Sequence, residues 1–203
     1  MLNIAVFGSG RGSNFLSVLT AIQQGRVPGA RVCCVISNNS GAGILDIAAA
    51  NALPALHLSQ KQFPDEEAFA EAMLSVLREH GANFIALAGY MKRIPSSVVA
   101  AYRGRIVNIH PALLPRFGGA GMYGRRVHEA VIASGETVSG ATVHYVDEEY
   151  DSGAILLQRT VPVVSGDTPE SLAARVLAVE HEIYPEAIRL IAEETGESTS
   201  TLP

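Results

Sequence analysis

The chain has 203 residues, of which 48% are hydrophobic and 17% are charged. That length and composition suit one packed globular domain and exclude a disordered chain. The formal net charge of −5 gives no general reason to expect an anionic partner, so we expect small-molecule partners, no nucleic acid and no membrane. No apolar run approaches the length of a membrane-spanning helix.

The cysteines, Cys33 and Cys34, are neighbours within an apolar run. Adjacent positions in such a run suit two buried thiols better than a structural disulfide, and free thiols are typical of a reducing compartment. The first residues lack the basic flank of a signal peptide. We therefore expect a cytoplasmic protein.

The N-terminal segment predicts a strand, a glycine loop and a helix. The apolar run 3–7 leads into Gly8-Ser-Gly-Arg-Gly-Ser-Asn14, and residues 15–22 then repeat apolar side chains at helical spacing. This order points free backbone N–H groups at an anion. A dinucleotide fingerprint needs glycine where serine stands at position 13, and the lysine of a Walker loop is missing. The pattern favours one phosphate held by Gly12, Ser13 and Asn14 over a turn that needs glycine for steric reasons alone.

Helices and strands continue to alternate as far as residue 102. Strands are predicted at 31–37, 55–57 and 84–88, and helices at 42–50, 65–80 and 96–102. The loop after the strand at 84–88 displays Tyr90, Met91 and Ile94 before Pro95. Its composition fits one wall of a flat, apolar ligand pocket and fits an ordinary connecting loop equally well.

Residues 106–115 end a strand with two polar side chains. Asn108 and His110 are two positions apart and therefore point to the same face of the strand, which Pro111 stops. In open α/β sheets, ligands bind beside the carboxyl ends of strands. An amide can donate a hydrogen bond to a developing oxyanion and an imidazole can exchange a proton. The pair predicts the catalytic edge of an acyl-transfer site.

The C-terminal part predicts a different arrangement. After a glycine-rich loop at 117–126 and a helix at 126–134, strands at 140–146 and 154–164 form an antiparallel pair joined by an acidic loop. Within that loop Asp151 is the best carboxylate to orient His110 and to raise its pKa. The last helix starts at Thr168, and Pro185 should kink or end it.

These elements predict an α/β fold with a Rossmann-like mixed sheet. Its N-terminal half is parallel and carries the glycine-rich phosphate loop, its C-terminal strands are antiparallel, and a long helix closes the chain. We expect a single domain at 1–194 and a flexible tail at 195–203.

A metal site is the rival interpretation of His110. Zinc needs two or three further ligands at recognisable spacing, the His-Glu-x-x-His motif is missing, and the cysteines lie in a predicted strand. We expect no metal. Since no Ser or Cys nucleophile accompanies His110, direct transfer between two bound substrates is favoured over a covalent enzyme intermediate.

Two stretches of the chain, Asn108-Ile-His-Pro-Ala-Leu-Leu-Pro115 and Asp151-Ser-Gly153, resemble the signature of the folate-dependent formyltransferases. The resemblance spans the chain to about residue 194, and the glycine loop resembles the phosphate loop of the members that formylate glycinamide ribonucleotide. It implies that a formyl group passes from the co-substrate 10-formyltetrahydrofolate to the amine of phosphoribosylglycinamide, in purine biosynthesis. We expect a monomer or a homodimer, and the sequence does not distinguish the two.

The resemblance also implies a role for each matching residue. The catalytic groups would be Asn108, a protonated His110 and Asp151. The acceptor would bind through Gly12, Ser13, Asn14 and Glu180, and the folate through Met91, Lys92, Arg93, Ile94, Val146 and Asp147. The loop 117–126 is longer and richer in glycine than in many members, so no contact is implied for it.

Two other functions stay open at this point. A nucleotide sensor without turnover would need the glycine loop but not Asn108, His110 and Asp151 together. A formyltransferase for an amino-sugar nucleotide would need room for a larger anion than one phosphate.

Overall fold

Residues 1–200 are described by a computed structural model, with side chains as far as residue 195. The strands are β1 (Leu2–Phe7), β2 (Ala30–Ser37), β3 (Ala55–His57), β4 (Phe84–Leu87), β5 (Ile106–His110), β6 (Val138–Tyr145) and β7 (Ile155–Pro162). The α-helices are α1 (Ser13–Gln23), α2 (Gly43–Ala50), α3 (Glu66–Glu79), α4 (Ser96–Ala101), α5 (Arg125–Ala133) and α6 (Pro169–Ser200).

The seven strands form one sheet in the order β3-β2-β1-β4-β5-β6-β7. Strands β1 to β5 pair in parallel, whereas β6 pairs antiparallel with both β5 and β7. The predicted fold class is therefore confirmed. The strand order reverses between β1 and β4, so the loops after these two strands diverge and leave a crevice at their carboxyl ends.

Helices cover both faces of the sheet, because the central strands are apolar on both sides. On one face α1, α2 and α6 bury residues such as Phe15, Ile44 and Tyr184. On the other face α3 and α4 bury Met73 and Val98 among others. None of the described helices combines the length and apolarity that crossing a membrane requires.

The last helix continues through Pro185, the residue at which it was predicted to kink or end. Thr168 caps it as expected, since its Oγ1 accepts a hydrogen bond from the Ser171 N–H at 3.2 Å. The helix does not end at Pro185. An internal proline costs a helix about 3 kcal/mol, but the neighbouring Tyr184 and Ile188 are fully buried, and burying each such side chain contributes about 1.5–3 kcal/mol. Burial therefore outweighs the proline.

The end of α6 bears on the predicted tail. The helix runs to Ser200, so the segment expected to form the tail from residue 195 begins inside it. Residues 201–203 lie outside the described part of the chain. The limit of the domain at residue 194 stays a prediction.

Candidate active site

A cavity of about 700 Å³ opens beside the carboxyl ends of β4 and β5. Its volume lies in the range of small-molecule sites. The glycine loop and α6 contribute Arg11, Asn14 and Glu180 to its walls; residues 87–99, 108–111, 119–128 and 144–151 contribute most of the others. The fold thus gathers the two predicted binding segments and the predicted catalytic residues around one space.

Asn108, His110 and Asp151 meet in this cavity. Asn108 and His110 line it from the end of β5. The Asp151 Oδ2 atom lies 3.7 Å from His110 Nδ1, and the His110 Nε2 atom lies 2.8 Å from the Phe117 carbonyl oxygen. The first distance is longer than a hydrogen bond. The carboxylate therefore acts on the imidazole through its charge or through an intervening water.

The backbone fixes the position of the Asp151 carboxylate. Asp151 has φ +54°, a left-handed conformation that aspartate tolerates better than most residues. The Gly119 N–H donates to its Oδ2 at 2.8 Å. A Cβ atom at Gly153 would lie 1.9 Å from the Tyr145 carbonyl oxygen. The glycine of Asp-Ser-Gly is therefore required because the loop carrying Asp151 passes so close to the end of β6.

His144 joins this group, although the sequence analysis assigned it no role. It stands opposite Asn108 in the antiparallel pair of β5 and β6. Its Nδ1 lies 2.9 Å from the Tyr145 carbonyl, so Nδ1 carries the proton and Nε2 accepts from Asn108 Nδ2 at 3.1 Å. The Asn108 amide is thereby oriented and keeps a second N–H for another acceptor.

The pKa values of His110 and Asp151 both lie below their ordinary values. Burial raises the pKa of the Asp151 carboxyl, but the adjacent His144 ring, whose Nε2 lies 3.4 Å from Asp151 Oδ1, the charge of His110 and the Gly119 N–H together lower the pKa by a larger amount. Burial lowers the pKa of His110 below 6.5, and it outweighs the opposing effects of Asp151 and the Phe117 carbonyl. In the free protein burial thus favours the neutral form of the imidazole beside an ionised carboxylate, whereas the resemblance implies a protonated His110 during the reaction.

We expect the imidazole of His110 to titrate below pH 6.5 in the free protein, because burial disfavours its charged form. In the Asp151→Asn variant the pKa of His110 should fall further, because the carboxylate that raises it is removed. An NMR titration of the imidazole C–H signals, assigned by comparison with a His110→Gln sample, measures both values. A pKa at or above 6.5 in the intact protein would contradict the dominant effect of burial.

On the glycine-loop side of the cavity, two predicted binding residues contact each other. Asn14 Nδ2 donates to Glu180 Oε2 at 2.5 Å, and both residues are more than nine-tenths buried. Burial raises the pKa of the Glu180 carboxyl more than this hydrogen bond lowers it. The Asn14 Oδ1 atom is buried without a hydrogen-bond partner among the described residues.

Gly12 and Ser13 do not line the cavity themselves, but they form the start of α1. That helix has no side-chain cap, so N–H groups of its first turn stay open. Gly12 has φ +82°, and a Cβ there would lie 2.8 Å from Ile44 Cα. Glycine is thus sterically required at position 12 whether or not an anion binds. Arg11, which sequence reasoning passed over, is exposed and lines the cavity.

Residues 91–94 line another wall of the cavity. Ile94 is buried and Met91 is half exposed. Arg93 donates to the Glu148 carbonyl at 3.2 Å and lies over the Tyr150 ring. Its guanidinium therefore holds the acidic loop.

Val146 and Asp147 also line the cavity. The Asp147 carboxylate accepts from the Glu149 N–H at 3.1 Å and from the Ser152 hydroxyl at 2.7 Å. It therefore shapes its own loop. Within the described residues, no three His, Cys, Asp or Glu side chains are grouped so that they could hold a metal ion.

Comparisons with known proteins agree with this geometry. A solved structure of glycinamide ribonucleotide transformylase 1 from Symbiobacterium toebii superimposes with a TM-score of 0.89 and 41% identity, over 96% of this chain and 89% of that one. The phosphoribosylglycinamide formyltransferase of Bacillus subtilis is 36% identical, over 93% of this chain and 94% of its own length. The chloroplastic phosphoribosylglycinamide formyltransferase of Arabidopsis thaliana is 46% identical over 94% of this chain, which spans 65% of that relative. The sequence pattern of the formyl transferase family matches residues 2–188, and the chain belongs to that family.

Proposed function

We propose that this protein transfers the formyl group of 10-formyltetrahydrofolate to the amine of phosphoribosylglycinamide. The products are formylglycinamide ribonucleotide and tetrahydrofolate, as in purine biosynthesis. One observation carries the proposal: Asn108, His110 and Asp151 meet in a cavity that Asn14 and Glu180 line on one side and residues 91–94 on another. The names of the similar proteins support the same pair of substrates.

In the proposed mechanism, the acceptor amine attacks the formyl carbon and the carbonyl electron pair moves to oxygen. Asn108 donates its second N–H to that oxyanion. His110 starts neutral, accepts the proton that the attacking nitrogen loses, and delivers it to the leaving nitrogen of the folate. The C–N bond to the folate then breaks as the carbonyl re-forms. No covalent bond to the protein is needed.

Asp151 serves this proton transfer. Its pKa is lowered, so it is an anion at neutral pH and stabilises the imidazolium formed midway. The depressed pKa of His110 suits a group that must be neutral before the amine attacks. A developing positive charge next to a fixed carboxylate is favourable in a site shielded from water.

We assign the acceptor to the glycine-loop side. Its phosphate would bind the open N–H groups at Gly12, Ser13 and Asn14, where a helix N-terminus favours negative charge. Arg11 adds a cation beside them. Glu180 would contact the ribose or glycine end, because its carboxyl lines the same wall as Asn14.

We assign the folate to residues 91–94, Val146 and Asp147. Because Arg93 and Asp147 already use their side chains within the acidic loop, we assign their folate contacts to the backbone. In the part of the chain that the structure describes, the N–H groups of Lys92, Arg93 and Ile94 have no hydrogen-bond partner. They are available to polar atoms at the edge of a flat ring, while Met91 and Ile94 offer apolar contact.

One assay tests the proposal: formation of tetrahydrofolate from 10-formyltetrahydrofolate, with and without phosphoribosylglycinamide. We expect product only with the acceptor. Equal rates in both would indicate a hydrolase, and no rate in either would favour a sensor. An amino-sugar nucleotide, added in place of the ribonucleotide, tests the other acceptor class.

We also retain cytoplasmic location and a monomeric or homodimeric state as predictions. The relative from Arabidopsis thaliana is chloroplastic, so the compartment of this protein has to be measured by fractionation of the source cells. Light scattering of the purified protein checks the second.

A further inference from the structure

Ser9 connects the glycine loop to the segment formed by residues 91–94. The Met91 N–H donates to Ser9 Oγ at 2.8 Å, and the Ser9 hydroxyl lies 2.5 Å from Asn38 Oδ1. The Ser9 N–H donates separately to the Gly89 carbonyl at 3.0 Å. One residue thus joins the loops that follow β1, β2 and β4.

The direction of these hydrogen bonds is determined. The backbone N–H of Met91 can only donate, so Ser9 Oγ accepts from it. The single hydroxyl proton is then left for the Asn38 oxygen. Ser9 is half buried; its bond to Asn38 is partly buried and its bond to Met91 is exposed. The hydroxyl is therefore held in one orientation, with its acceptor side toward Met91.

The contact between Ser9 and Met91 anchors one end of the segment formed by residues 91–94. Met91, Lys92 and Arg93 are exposed, and Ile94 is buried at the other end of the segment. Among the described residues, the Ser9 hydroxyl is the hydrogen-bond partner of the Met91 N–H, and the next three N–H groups have none. The segment is thus anchored at its first residue by Ser9 and at its last by burial, with its free donors between the two anchors.

We infer that Ser9 is a positioning residue for the folate. It fixes Met91 and thereby aligns the free N–H groups of Lys92 to Ile94 toward the ring edge. This inference rests on the proposed function, since it takes the folate to lie against residues 91–94. Ser9 touches neither substrate in this arrangement; it acts through the backbone of the segment.

We expect Ser9→Ala to raise the KM for 10-formyltetrahydrofolate roughly five- to tenfold, the effect of losing about one hydrogen bond. The kcat and the KM for phosphoribosylglycinamide should each stay within about twofold. The variant keeps the bond from the residue 9 N–H to the Gly89 carbonyl, so the glycine loop stays in place. Steady-state kinetics with each substrate varied in turn separates these quantities.

Two further variants sharpen the test. Ser9→Thr keeps a hydroxyl and should restore the folate KM. Ser75→Ala removes a hydroxyl that bonds Glu79 on α3, outside the cavity, and should change neither KM. An unchanged folate KM in Ser9→Ala would overturn the inference. A loss of affinity for both substrates with a lowered melting temperature would also overturn it, because that indicates a general structural role.

Binding measurements separate this inference from the proposed function. Calorimetric titration of the intact protein and Ser9→Ala with tetrahydrofolate needs no turnover. If the intact protein binds tetrahydrofolate but transfers no formyl group to phosphoribosylglycinamide, the proposed function fails, and the ratio of the two dissociation constants still tests Ser9. A ratio near one refutes the role of Ser9 even if the intact protein is an active formyltransferase.

Discussion

Asp151→Asn is expected to reduce the turnover of formyl transfer by about a hundredfold to ten-thousandfold, the usual worth of a proton-transfer group. The carboxylate lies 3.7 Å from His110 Nδ1 and stabilises the imidazolium that forms during the reaction. Asparagine keeps the size of the side chain and an oxygen for the Gly119 N–H. It also tolerates the left-handed backbone at this position. The variant therefore loses charge rather than structure.

A matched control lies on α2, outside the cavity. Asp46→Asn makes the same change of charge at an exposed position, and we expect near-normal turnover. The kcat with both substrates saturating and the melting temperature are measured for each variant. If Asp151→Asn turns over normally, the carboxylate has no part in proton transfer. If it unfolds, Asp151→Glu distinguishes lost charge from lost structure.

Strand geometry explains why Asn108 and His110 could be predicted as neighbours in the site. Side chains two apart on a strand share a face, so Asn108 and His110 had to point together once residues 106–110 formed a strand. Pro111 marked the end of that strand, which is where an α/β sheet binds ligands. Asp151 followed from the chemistry that an imidazole needs and from a loop too long for a plain hairpin.

The other contacts depend on pairing and on backbone atoms, which leave little trace in a single sequence. His144 faces Asn108 only because β6 pairs antiparallel with β5 in one particular register. The Phe117 carbonyl and the Gly119 N–H reach His110 and Asp151 as backbone groups, so no residue type marks them. The glycine-rich loop indicated only that its backbone could approach neighbouring groups closely.

Burial is the quantity that sequence reasoning estimated least well. A carboxylate beside an imidazole predicts a raised pKa, and for His110 that effect is present. It is outweighed because the whole fold closes around the ring, leaving 4% of its side chain exposed. The same cause keeps α6 helical through Pro185. The lowered pKa of His110 and the continuity of α6 both depend on many packing contacts across the fold, and a short sequence motif does not specify those contacts.

His110→Ala is expected to lower turnover as severely as Asp151→Asn, by about a hundredfold to ten-thousandfold, because no group then takes the proton from the attacking amine and passes it to the leaving nitrogen. If Asp151 acts through His110, adding Asp151→Asn to His110→Ala should cost little more, and a double-mutant cycle measures that coupling. Full additivity would mean that the carboxylate moves the proton by a separate route. The exposed His57 on β3 provides the control, since His57→Ala removes an imidazole outside the cavity and should leave turnover unchanged.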